Sequence, residues 1–169
     1  MSLVVLFALM VLAGALPDLM PPFLSLQRHP PDLWALAVLY LALRAPGYKA
    51  VGWAILVGCV RDSVSLDPLG THAFTLGTVA FLFAEGRRQR GRVQGMSRVV
   101  LAGAGVLLAG WIYPLRLVPV GDTTLTFGAF VDAIPVALWS AVMAAGLYPL
   151  FDRYGLLDEL CGRTHALSS

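Results

Sequence analysis

Six apolar runs, separated by short polar or proline-bearing stretches, organise this chain. A spanning helix needs about 20 apolar residues, with a usual range of about 17–25. The first run extends from about Leu3 to Leu24. Pro17, Asp18, Pro21 and Pro22 interrupt it and predict kinked or unwound last turns, because each proline removes a backbone donor. Asp32 opens the second run and is placed to cap it, with Pro30 and Pro31 holding the approach extended. This run stops near Arg44-Ala45-Pro46-Gly47. The third covers about Tyr48 to Val60 and reaches Arg61-Asp62; Pro68 is the expected first-turn residue of the fourth, which continues to about Glu85. The fifth runs from about Val99 to Tyr113 and is expected to end at Pro114. The sixth runs from about Leu125 to Phe151.

The pattern predicts an all-α bundle of about six short transmembrane helices: a membrane domain over 1–152 and a short tail over 153–169. Composition sharpens this. The chain has 169 residues, 58% hydrophobic and 13% charged, with a mean hydropathy of +0.76. One core cannot hide so much apolar side chain, so the surface faces lipid. Leu3 to Leu12 resembles the apolar part of a signal peptide and Ala13-Gly14-Ala15 a cleavage site. However, no Lys or Arg precedes the run, and the run continues past that site. It is read as the first helix.

Charge gives the expected orientation. With both termini inside, Arg44, Lys49, Arg87, Arg88, Arg90, Arg92, Arg98, Arg153 and Arg163 are cytoplasmic, and only Arg28, Arg61 and Arg116 lie outside. That is the excess of basic residues expected of inward loops, and anionic headgroups could hold the arginine run at the membrane surface. The run needs no nucleic-acid partner to explain it. The second and third segments are each shorter than a full span. Two short spans are preferred to a re-entrant hairpin, which would bring Arg44 and Lys49 near the bilayer centre at about 2.5–3.5 kcal/mol each. Trp34, Trp111 and Tyr113 fall near the outer boundary, and Tyr48, Trp53, Tyr148 and Tyr154 near the inner one.

Candidate chemistry is sparse. Asp62, Asp67 and His72 are metal-ligand types gathered in one loop, but their spacing matches no recognised metal site, and a structural turn with helix caps is the expectation. Asp132, about two turns inside the sixth segment, is a functional candidate because an intramembrane carboxylate is costly. Pairing with Arg61 or Arg116, bonding to donors freed near Pro135, partner binding and proton handling are its possible roles. Ala102 to Gly105, and Ala141, Ala145 and Gly146, make parts of the last two helices narrow enough for close packing. Cys59 and Cys161 form no motif. The residues contain no phosphate-binding loop, nucleophile elbow or zinc-protease motif. No catalytic residue, cofactor or metal site is predicted. A small intramembrane enzyme would have to depend on Asp132.

From His29 to Gln89 the chain resembles the bacterial rod shape-determining protein MreD family. The resemblance lies in Pro31-Asp32-Leu33, Leu39-Tyr40, Pro46, Gly52 through Gly58, Asp62, Leu69-Gly70 and Ala73, taken in order. Chain length, six apolar segments and the basic tail after Tyr148-Pro149-Leu150 also fit. It implies a non-enzymatic, multi-pass subunit of the inner membrane, a scaffold of the cell-elongation machinery that organises peptidoglycan synthesis. The implied partners are MreC and, through the complex, MreB, the glycosyltransferase RodA and its partner transpeptidase. Pro31, Leu33, Tyr40, Gly58, Asp62, Leu69 and Gly70 carry the motif as partner-binding or structural residues; Asp132 is added from its position alone. The family is also similar to the six-helix substrate-binding subunits of energy-coupling-factor vitamin transporters. That likeness supplies the rival function, a vitamin-binding subunit with an outward cavity lined by Trp34, Asp62, His72 and Asp132.

Overall fold

The computed structural model describes residues 30–65, 67–90, 95–117 and 123–154, together with six positions before residue 16. Five helices account for nearly all of the continuous stretches: α1 (Leu33–Arg44), α2 (Gly47–Val64), α3 (Thr71–Arg90), α4 (Met96–Leu117) and α5 (Thr123–Tyr154). They correspond to the second to sixth apolar segments. Of the first segment, the positions Val4, Ala8, Met10, Val11, Gly14 and Ala15 are helical, and Met10 packs against the core. The rest of that segment, the connection through Arg28, residues 91–94 and the tail from 155 lie outside the described residues.

Two antiparallel hairpins, α2 with α3 and α4 with α5, flank α1, which touches all four other helices. That central position explains why a helix of only 12 residues is apolar all round: every residue from Ala35 to Leu43 is buried. A helix that is hydrophobic on every side must be covered on every side. Close approach is set by glycines. A Cβ at Gly58 would stand 2.3 Å from Cα of Ala73, one at Gly105 would stand 2.4 Å from Leu39, and one at Gly110 would stand 2.6 Å from Cβ of Ala133.

The exterior of the bundle is apolar as well as its core. On α2 the inward face carries Ala50, Ala54, Val57, Gly58 and Asp62, while Ile55, Leu56 and Val60 face outward. Phe74, Phe81, Leu82, Val131, Ile134, Leu138 and Val142 extend this apolar exterior over the other helices. Lipid, not water, suits such a surface. By length and composition alone, Met96–Leu115 and Phe127–Tyr154 are long and apolar enough to cross a membrane.

Five boundaries differ from expectation. The third segment is longer than expected, an 18-residue helix of about 27 Å at 1.5 Å per residue. The next helix begins at Thr71, not Pro68, because the Asp62 carboxylate accepts the backbone N–H groups of Gly70, His72 and Ala73. At its far end it continues past Glu85 to Arg90. Arg and Gln are good helix formers, and Arg87 is anchored on the carbonyls of Leu43 and Ala45. Pro114 lies inside α4 and does not end it. So near the end the ring removes one hydrogen bond only, and Pro135 and Pro149 are likewise accommodated within α5. The last helix extends through Arg153 and Tyr154, at the start of the expected tail.

Candidate functional site

The polar side chains gather at the two ends of the bundle. At one end, the N-terminus of α1 meets the C-terminus of α2. Asp32 caps α1 by accepting the N–H of Ala35 at 3.0 Å, as expected from sequence. Its two carboxylate oxygens also take the Arg61 guanidinium at 3.0 and 2.8 Å, and its own N–H donates to the buried Ser140 hydroxyl on α5 at 2.9 Å. One residue thereby joins three helices. Arg61 is thus held by Asp32, not by Asp132, and the other expected partner of Asp132, Arg116, has its side chain outside the described residues.

Beside this pair, Asp62 is only 3% exposed. Its carboxylate accepts from the N–H groups of Gly70 (3.0 Å), His72 (2.9 Å) and Ala73 (3.2 Å). A helix start leaves its first N–H groups without helical partners. Here the last turn of α2 supplies the acceptor for the first turn of α3, so one side chain ties the two helix ends together. Gly70 adopts φ +90°, a conformation that glycine enters without a Cβ penalty. Pro68 contributes its carbonyl to the N–H and hydroxyl of Thr71. Leu69, between these tethers, is 83% exposed, and Val64 at the end of α2 is 74% exposed.

On the other side of the turn, Nε2 of His72 lies 3.1 Å from Asp67, and its ring stacks on Tyr113 of α4 with centroids 5.1 Å apart. Burial alone would raise the Asp67 carboxyl. Hydrogen bonding from Tyr113 and His72 outweighs it and holds Asp67 below the ordinary carboxylate range. Arg61, Asp67, His72, Tyr113 and Asp132 rim a cavity of about 510 Å³ whose floor includes Leu76, Val106 and Val136. Of the four residues expected to line an outward cavity, His72 and Asp132 do so. Asp62 is turned into the helix cap, and Trp34 packs against the core. The three ligand-type residues of the loop are likewise divided between a cap and a carboxylate–imidazole pair. Among the described residues, no group of three or more His, Cys, Asp or Glu could hold a metal ion.

At the opposite end, Asp152 binds Arg44, Arg98 at 2.6 Å and the Tyr40 hydroxyl at 2.8 Å, joining α1, α4 and α5. Tyr40 packs between Tyr148 and Phe151, and the Tyr148 hydroxyl donates to the Leu36 carbonyl at 3.1 Å. The motif residues therefore do not form one cluster. Pro31, Leu33, Asp62, Leu69 and Gly70 belong to the Asp32 end, Gly58 to the α2–α3 crossing, and Tyr40 to the Asp152 end; Asp132 is exposed on the cavity rim. Asp32–Arg61, Ser140 and Asp152 were missed as site residues by sequence reasoning. Spacing along one helix cannot report them, because their partners lie 29, 108 and 112 residues away.

The family model for rod shape-determining protein MreD matches residues 1–156. The chain belongs to the MreD family. It is accordingly a rod shape-determining membrane protein of a structural, cell-shape family. No curated protein and no solved structure matches it. For this MreD-family member, the match extends the resemblance from the motif between His29 and Gln89 to the whole helical region, including the Asp152 clamp.

Proposed function

We propose that this chain is a non-catalytic, multi-pass scaffold of the bacterial inner membrane that binds MreC through the Leu69 turn. Both termini are cytoplasmic in this reading, six segments span, and the Asp32 end faces outward. By holding MreC there, the subunit helps organise peptidoglycan synthesis by the cell-elongation complex of MreB, RodA and its partner transpeptidase.

The observation that carries the reading is the tethered turn. Three backbone N–H groups bound to the Asp62 carboxylate fix the start of α3, and Leu69 projects just before them at 83% exposure. A rigid apolar group outside the helices loses little conformational freedom on docking, which favours its use as a contact. MreC is expected to co-purify from native membranes with the unaltered chain and to be lost with Leu69→Asp, at equal expression and thermal stability. Retention of MreC by Leu69→Asp would refute the proposal. Sidedness is tested separately, in a background with Cys59 and Cys161 replaced by serine. An impermeant thiol reagent should label Leu69→Cys in intact cells and spare Arg88→Cys.

The cavity beside the turn favours a second reading, a small-molecule subunit of the energy-coupling-factor type. Its apolar floor and few polar rim groups suit a vitamin-sized ligand. Nanomolar binding of a vitamin by the purified chain, abolished by filling the cavity with Ala109→Trp, would support this reading; a vitamin screen without a thermal shift counts against it.

A further inference from the structure

At the Asp152 end, Arg87 projects from α3 onto the last carbonyls of α1, donating to Leu43 at 3.3 Å and to Ala45. The guanidinium is held in place by these bonds, and both acceptors are neutral carbonyls. It borders two apolar grooves on neighbouring faces of α3. The larger, about 860 Å³, lies between α2 and α3 against Tyr48, Val51, Phe81 and Ala84, with Arg87 and Arg88 at its polar end. The smaller, about 240 Å³, runs past Leu82, Phe83 and Leu101.

Charge at the groove end is not balanced. Arg88 is 80% exposed and meets Glu85 only at 3.6 Å, a surface pair of little strength. Two guanidinium groups face one carboxylate, leaving a net charge of +1 where apolar walls give way to polar residues. A soluble ligand would gain nothing from walls that already face lipid, since Tyr48 and Phe81 are themselves exposed. Such walls suit a lipid acyl chain, whose headgroup would stand beside the arginines.

We infer that Arg87 and Arg88 form a binding site for one anionic membrane phospholipid, whose phosphate they hold while its chains occupy the two grooves. Arg87 supplies a fixed donor already oriented by α1, and Arg88 supplies the adaptable one. Guanidinium groups match phosphate oxygens in geometry as well as charge. The site lies at the opposite end from the Leu69 turn and stands whether or not that turn binds MreC.

The full-length chain, delipidated in detergent, is offered an equimolar mixture of phosphatidylglycerol and phosphatidylcholine with identical acyl chains, and retained lipid is counted by native mass spectrometry. Phosphatidylglycerol should be retained in preference. Arg88→Gln should reduce the preference about fivefold, the effect of one basic charge near a headgroup, and Val51→Trp should lower retention of both lipids by filling the larger groove. Arg153→Gln, outside the site, should leave the preference unchanged. Equal retention of the two lipids by the unaltered chain would overturn the inference. So would an Arg153→Gln effect as large as that of Arg88→Gln, which would mean diffuse surface charge and no site.

Discussion

Tyr40 and Asp152 are 112 residues apart, yet the tyrosine hydroxyl donates to the carboxylate at 2.8 Å. The bond joins the central helix to the last one, and the same carboxylate holds Arg44 and Arg98. Removing the hydroxyl and removing the acid should therefore differ. Tyr40→Phe loses one charge-assisted bond and should cost about 1–2 kcal/mol. Asp152→Ala leaves two guanidinium groups without their acceptor and should cost more, about 2–4 kcal/mol, the lower end reflecting the partial exposure of the pair. Thermal unfolding in detergent of both variants and the double variant measures this. Since the acid is the shared partner, the double variant should be no worse than Asp152→Ala.

A similar distinction separates two glycines. The Cβ added by Gly58→Ala would meet backbone, Cα of Ala73 at 2.3 Å, whereas that of Gly105→Ala would meet the Leu39 side chain at 2.4 Å. Backbone can yield only by moving α2 from α3, while a leucine can change rotamer. Overpacking costs typically about 1–3 kcal/mol. Gly58→Ala should lie at or above the top of that range and Gly105→Ala near the bottom, judged by midpoint shifts in the same unfolding assay.

The helical bundle was legible because its signal is local. Apolar runs, the Asp32 cap and the proline-glycine break after Arg44 each act within a few residues, and α1 starts and stops where they indicate. Boundaries went astray where distant groups intervene. Asp62 selects the start of α3 from across a turn, and Arg87 extends its far end by binding carbonyls 42 and 44 positions earlier. The candidate site was half legible for the same reason. Asp62, Gly70 and His72 are close in sequence and came out together, although Asp62 serves the backbone and not the cavity. Sequence alone offers Asp132 as a partner for Arg61, because nothing local identifies Asp32, 29 residues earlier, as the acid that binds it.

The acid response should centre on Asp67, in the loop between α2 and α3. Its carboxyl is held below the ordinary value of 3.8, so ionised Asp67 stabilises the folded chain. That contribution is complete above the unfolded-state value and is lost as pH falls through the lower, folded-state value. Comparing the thermal midpoints of the unaltered chain and Asp67→Asn should show the full effect of the ionised group at pH 7. The difference should shrink as pH falls below 3.8. A difference that grows as pH falls below 3.8 would contradict the hydrogen-bonded, ionised form.

The tethered turn predicts a ranking that separates connection from exposure. Asp62→Ala removes the acceptor for three N–H groups and should cost about 2–3 kcal/mol, since each is left short of a partner. Hydrogen exchange at Gly70, His72 and Ala73 should accelerate before the remaining helices open. Gly70→Leu strains the φ of +90° and should loosen the same amides by distorting the turn. Cys59→Ser changes an exposed position on the outer face of α2 and should leave those amides unaffected. If the Leu69 turn carries the partner, Asp62→Ala and Gly70→Leu should also reduce MreC recovery, and Cys59→Ser should not. Equal recovery with all three, despite faster exchange in the first two, would make the turn a packing device and move the docking surface elsewhere.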